Sequence, residues 1–327
     1  MHTNGAMTWL SMSRRPALQR GSWPLSRSDR SRVLPRAVVL AGLVFLMACR
    51  GAEPGIPLGE VAGGQLKEIS GLAASRRHPG ILWAHNDGPD GRLFAIRTNG
   101  ATAAVFELAA SVTDLEDIAI GPGPVPGTPY LYVGDIGDND GTRRSIRVHR
   151  LPEPALPDGT SARKPARLNE FETIALRYPD GPHDAEALLC DPRTGDVLIA
   201  TKQKRRSRLY LAPAGQLTTG AEVRLVWLRE IPFADISAGD LSPDGQHLLL
   251  RREDAAWMWS RGPGETTAAA LANPPRRMPV IGPPTEPNGE AIAWSTDGRG
   301  YYTLSEGKRQ PIYYFLRDPD SPSGVAR

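Results

Sequence analysis

Five segments of this chain begin alike. Each has a small or acidic residue, a compact apolar triplet, a turn, and then a second apolar strand. They are Ile69-Ser70-Gly71-Leu72-Ala73 leading to Ile81-Leu82-Trp83, Leu115-Glu116-Asp117-Ile118-Ala119 leading to Tyr130-Leu131-Tyr132-Val133, and Ala185-Glu186-Ala187-Leu188-Leu189 leading to Val197-Leu198-Ile199-Ala200. Ala238-Gly239-Asp240-Leu241-Ser242 leads to His247-Leu248-Leu249-Leu250, and Gly289-Glu290-Ala291-Ile292-Ala293 to Tyr301-Tyr302-Thr303-Leu304. Successive starts lie about 50 residues apart, with one gap of about 70 filled by the Pro-rich stretch 151–166. No long amphipathic helical pattern interrupts them. A period of ~40–50 residues with several strands per unit predicts an all-β chain folded as a β-propeller.

Each unit offers two further strands, at 92–96 and 103–108, 145–149 and 170–176, 208–211 and 222–228, and 256–259 and 278–281. The fifth has 311–315 and then runs out of chain. Residues 57–62 are expected to supply its missing outer strand, pairing the two ends and removing an exposed edge. The count predicts five four-stranded blades, or six if the long second unit hides a degenerate one. The turns Ser242-Pro243-Asp244-Gly245 and Ser295-Thr296-Asp297-Gly298 resemble the S-x-D-G turns of TolB-type and WD40-like propeller repeats. More broadly, residues 65–316 resemble bacterial propeller proteins near the phytase-like and YncE/NHL groups. Those motifs are structural and imply a fold without a function.

The N-terminus predicts an address. Arg30, Arg32 and Arg36 flank the start of an apolar run, 37–48, that ends at Cys49. A charged segment, a short apolar run and a small residue before the processing point make a signal peptide. The run is shorter than the ~20 residues needed to span a bilayer. Leu46-Met47-Ala48-Cys49 is similar to the lipobox of bacterial lipoproteins. That resemblance implies lipidation of the Cys49 thiol, cleavage before it and an extracytoplasmic, membrane-held protein. Arg50 in the second position favours the outer membrane or cell surface. The chain is thus expected to divide into a leader (1–49), a tether (50–56), the propeller (57–316) and a C-terminal tail (317–327).

About 280 residues remain after processing, enough for one large domain. Without a basic stripe, and with the compartment extracytoplasmic, nucleic acid is not an expected partner. The one other cysteine, Cys190, stands in an apolar stretch and reads as a small buried hydrophobe, so stability must come from the core.

Propeller topology places the starts of the innermost strands and the ends of the second strands around one mouth of the channel. There Glu116, Glu186 and Glu290 align one to one across three blades. The loop Asp135-Ile136-Gly137-Asp138-Asn139-Asp140-Gly141 adds further oxygens, with Asp138 and Asn139 as candidate ligands. Convergent carboxylates repel unless protons or a cation compensate them. Hard oxygen donors suit Ca²⁺, although Lys202, Arg251 and Arg252 could instead neutralise the set. Gluconolactonase and paraoxonase-like propellers hold a Ca²⁺ at a similar position, an analogy of place and not of motif. His85, and His183 beside Asp184, are the candidate bases, each with a plain turn-forming alternative. No nucleophile elbow, zinc-binding helix or phosphate-binding glycine loop occurs. The leading reading is a membrane-tethered binding or scaffold module for a protein or glycan. The alternative is a Ca²⁺-dependent hydrolase of lactonase, phosphodiesterase or phytase-like type.

Overall fold

The computed structural model describes residues 55–158 and 163–317, so the expected leader, Cys49 and most of the C-terminal tail lie outside the described residues. Five separate sheets, antiparallel through their four blade strands, each begin with an innermost strand: Ile69–Ala74, Leu115–Pro122, Ala185–Cys190, Ala238–Leu241 and Gly289–Trp294. Second strands follow at Ile81–Asn86, Pro129–Asp135, Val197–Thr201, His247–Arg252 and Gly300–Ser305. The innermost strands pack side by side around a central channel, which makes the molecule a five-bladed β-propeller.

Its core is divided to match. Five apolar clusters each join residues of two neighbouring blades. Leu72 and Ile96 of blade 1 meet Ala291 and Leu304 of blade 5, so the ring is closed. Five interfaces for five blades leave no place for the sixth that the sequence allowed. Stacking also explains why the first two strands of blades 1 and 3 are buried along their whole length. Both faces of an inner strand meet a neighbouring blade, so polar residues do not alternate with apolar ones as they do on a one-sided sheet. Cys190 fills such an interface, its sulfur so close to Gly121 that a Cβ there would clash.

Closure is made by the N-terminal strand Ile56–Glu60, which pairs antiparallel with Pro311–Leu316, Ile56 opposite Tyr314 and Glu60 opposite Pro311. The two S-x-D-G turns behave alike. The aspartate accepts the serine hydroxyl (2.6 Å in both) and a backbone N–H two residues on, while Gly245 and Gly298 take φ of +67°. Only glycine adopts that conformation without strain.

Two short strands depart from the sequence expectation. Residues 222–228 do not form one outer strand. Val226–Glu230 completes blade 3, while Glu222–Arg224 runs parallel to Glu172–Arg177 and extends blade 2. Ala166–Leu168 likewise adds to blade 1 beside Thr102–Leu108. Each blade thus keeps its four strands, and two carry a fifth strand supplied by a following segment.

Candidate functional site

The aligned glutamates owe their position to a backbone irregularity. Leu115 pairs with Asp135 but Asp117 with Gly134, which leaves Glu116 as the extra residue of a β-bulge. Glu186 and Glu290 occupy the same bulge in blades 3 and 5. A bulge bends its strand and re-aims one side chain, here at the start of the innermost strand, on the channel mouth. Blade 4 pairs regularly through Ala238–Leu241 and brings no acid to this position.

Glu116 is joined by Asp87, just after the second strand of blade 1, and by Asp114, just before the inner strand of blade 2. One carboxylate oxygen from each lies within 4.8 Å of the other two. Gly137 makes room for them, because a Cβ there would stand 2.4 Å from both Asp114 Oδ2 and Glu116 Oε1. Ser70 donates to the Glu116 carbonyl (2.5 Å) and reaches its carboxylate at 3.4 Å.

Glu186 lies next along the ring. Its Oε1 accepts from the Lys202 ammonium at 2.6 Å, and the same ammonium is 3.6 Å from Glu290. Its other oxygen, Oε2, is buried without a hydrogen-bond partner. Lys202 is the neutralising cation expected here. Arg251 instead turns away, fully buried, donating to the Ala291 carbonyl (2.8 Å) and lying 3.6 Å from Glu286. Arg252 pairs with Asp254 at 2.6 Å.

Electrostatics follow from this crowding. Burial, and then Glu186, Asp87 and Asp114, push the Glu116 carboxyl far above its usual range. Burial raises Glu186 and Glu290 as well, against the pull of Lys202. Asp87 is pushed up to about 6 by burial and by Asp114. Burial and Asp184 raise Asp114. Such a set is content when it holds protons or a cation, and strained when it holds neither.

The remaining candidates are placed elsewhere. The Asp138 carboxylate accepts the backbone N–H groups of Thr142 and Arg143, both at 2.9 Å, and so closes its own loop. Asn139 is exposed at the tip of that loop. Asp184 accepts from the Asp138 N–H (2.8 Å) and does not orient His183, whose Nε2 faces Asp180 at 3.1 Å between the rings of Tyr178 and Tyr210. His85 is fully buried, with Nδ1 2.8 Å from the Asn86 carbonyl and Nε2 unpartnered against Gly71. Burial lowers its pKa, so the ring is neutral. Asp87 and Asp114, not the expected Asp138 and Asn139, complete the cluster around Glu116. Both were visible as acids flanking strand ends, but only the fold shows which of the many such acids converge.

No family model and no curated protein sequence matches this chain. Solved structures do match in architecture. A luciferin-regenerating enzyme is 12% identical with a TM-score of 0.45, over 81% of this chain and 96% of that one. A chain of a nidogen/laminin complex is 12% identical with a TM-score of 0.39, over 73% of each. The propeller assignment stands on the strand pairing and the five closed interfaces described above.

Proposed function

We propose that the domain is an extracytoplasmic binding module whose channel mouth holds a divalent cation, Ca²⁺ by its donor chemistry, as part of the surface that meets a protein or glycan. The observation that carries this reading is the convergence of Asp87, Asp114 and Glu116 beside Glu186, a buried carboxylate with one oxygen left unpartnered. Stranding a buried acceptor costs about 1–3 kcal/mol, and more when it is charged. A hard cation with oxygen ligands would remove that cost and the mutual repulsion together. Binding is favoured over hydrolysis because neither candidate base reaches these carboxylates. His85 is sealed behind Gly71, and His183 is engaged by Asp180.

Melting the purified protein in EDTA and then in Ca²⁺ tests the cation. At ~100 times its dissociation constant a bound ion adds about 2.7 kcal/mol, which is ~5–10 °C for a domain of this size. The pH dependence has a definite sign. Carboxyl groups raised in the folded state bind more protons there than in the unfolded chain. In EDTA these groups therefore support the fold fully only below about pH 4, and withdraw that support as pH rises through about 6 for Asp87 and higher for Glu116. Ca²⁺ should accordingly raise the melting temperature more at pH 8 than at pH 5. Equal melting with and without Ca²⁺ at pH 8 would remove the cation from the reading.

The membrane address rests on the lipobox-like Leu46-Met47-Ala48-Cys49 alone. More than one acyl chain on Cys49 would hold the protein at a bilayer far more firmly than a single chain, which binds marginally and reversibly. Cys49→Ser should therefore move the protein from the membrane fraction to the soluble one. Unchanged membrane association would sink the anchor.

A further inference from the structure

Away from the carboxylate ring, the fifth strand of blade 2 creates a second site of opposite charge. In the parallel pairing of Glu172–Arg177 with Glu222–Arg224, Arg177 and Arg224 are direct register partners. Like charges set opposite one another destabilise a sheet, so the pairing is unfavourable unless something negative sits over it. The two arginines line a cavity of about 430 Å³, together with Arg144 and Thr142 from the loop after Asp138 and with Tyr178, Pro179, Gly181 and Pro182. Glu222 is the one carboxylate in the lining, and it meets Arg177 only at 3.6 Å. Arg224 donates to the Pro179 carbonyl at 3.4 Å and has no ion-pair partner among the described residues. Arg144 is exposed and has no hydrogen-bond or ion-pair partner among the described residues. Three guanidinium groups against one carboxylate leave a surplus of two positive charges.

We propose that this groove binds a phosphoryl group, as the free ion or as the ester of a larger ligand. The charge matches, because a phosphate monoester at neutral pH carries nearly two negative charges where a carboxylate carries one. The geometry matches as well, since planar guanidinium forks donate paired hydrogen bonds to the oxygens of a phosphate. The groove also has room beyond the ion. A cavity of this volume falls within the ~300–1,000 Å³ of small-molecule sites, and Pro179 and Pro182 offer apolar surface to the remainder of an ester. The groove and the carboxylate ring share one loop. Gly137 packs on Asp114 and Glu116, Asp138 anchors Thr142, and Arg144 follows two residues later. The proposal does not depend on a cation at the ring.

Calorimetric titration of the purified protein in EDTA and low-salt buffer at pH 7.5 tests it. The probes are inorganic phosphate, glucose 6-phosphate, glucose and acetate. Phosphate or its ester should bind with a dissociation constant below ~1 mM, with acetate at least tenfold weaker and glucose silent. Tighter binding of the ester identifies a phosphorylated ligand, and tighter binding of inorganic phosphate identifies the free ion. Arg144→Gln and Arg224→Gln should each weaken binding about tenfold or more, while melting within ~2 °C of the parent, because both side chains are exposed. No binding of either inorganic phosphate or glucose 6-phosphate at 10 mM overturns the proposal. So does acetate binding as well as phosphate, or both variants binding like the parent.

Discussion

Removal of residues 1–61 should cost this protein its cooperative fold, whereas removal of residues 1–54 should leave it intact. The longer deletion takes away the strand that closes blade 5. With it go the pairings of Ile56, Pro57, Gly59 and Glu60 with Pro311–Leu316, and the Val61 N–H bond to the Gln310 carbonyl. Val61 is fully buried in the cluster that joins blades 5 and 1, so the same cut opens that interface. What remains exposed is the edge Pro-Ile-Tyr-Tyr-Phe-Leu, uncharged, aromatic and free to pair with another copy. The expected result is a melting temperature lower by more than ~10 °C, or aggregation on purification. If the 1–61 deletion melts like the 1–54 deletion, the closing strand contributes nothing and the closure described here is wrong.

The second large effect lies at the opposite end of the blades. Asp191, after the inner strand of blade 3, accepts a bidentate pair of hydrogen bonds from Arg261 of blade 4, both at 2.6 Å. Both residues are buried, and Thr267 adds a contact to the same guanidinium at 3.0 Å. Asp191→Ala strands a buried cation, a change that typically costs 3–5 kcal/mol. For a domain of this size that is a fall of ~6–20 °C in melting temperature. Removing both charges tests whether the cost comes from the orphan. Asp191→Ala with Arg261→Met should recover much of the loss, because an apolar replacement of a buried pair is often close to neutral. A double variant no better than Asp191→Ala alone would refute that explanation.

Much of the architecture was legible because the repeat carries it. The expected inner strands and the observed ones share their first residues in all five blades, and Ile56–Glu60 closes the ring as the missing strand demanded. What could not be read was strand exchange between blades. Ala166–Leu168 and Glu222–Arg224 are three residues long, too short to show a period, and their partners were chosen by tertiary contact. Nor does sequence alone separate the tryptophans, since Trp227 is 53% exposed while Trp257 and Trp259 are buried against Phe233 and its neighbours.

The site was legible in the same uneven way. Alignment of the repeats found Glu116, Glu186 and Glu290, because a bulge common to three blades leaves a residue of one type at one place. It could not find the cluster around Glu116. Asp87 and Asp114 come from neighbouring blades, and only the packing of blade 1 against blade 2 brings them together. The loop with the most calcium-like spelling turned out to spend the Asp138 carboxylate on its own turn. The arginine groove was invisible for a related reason. Arg144, Arg177 and Arg224 are scattered along the chain, and two of them meet through an exchanged strand.

Calorimetric titration of the purified protein with Ca²⁺ at pH 8 asks directly whether the carboxylate ring holds a cation. The expected result is saturable binding that weakens at pH 6, where protons compete for Asp87 and its neighbours, and that is lost in Glu116→Gln and in Asp114→Asn. Absence of binding at pH 8, or binding of equal strength in both variants, would contradict it.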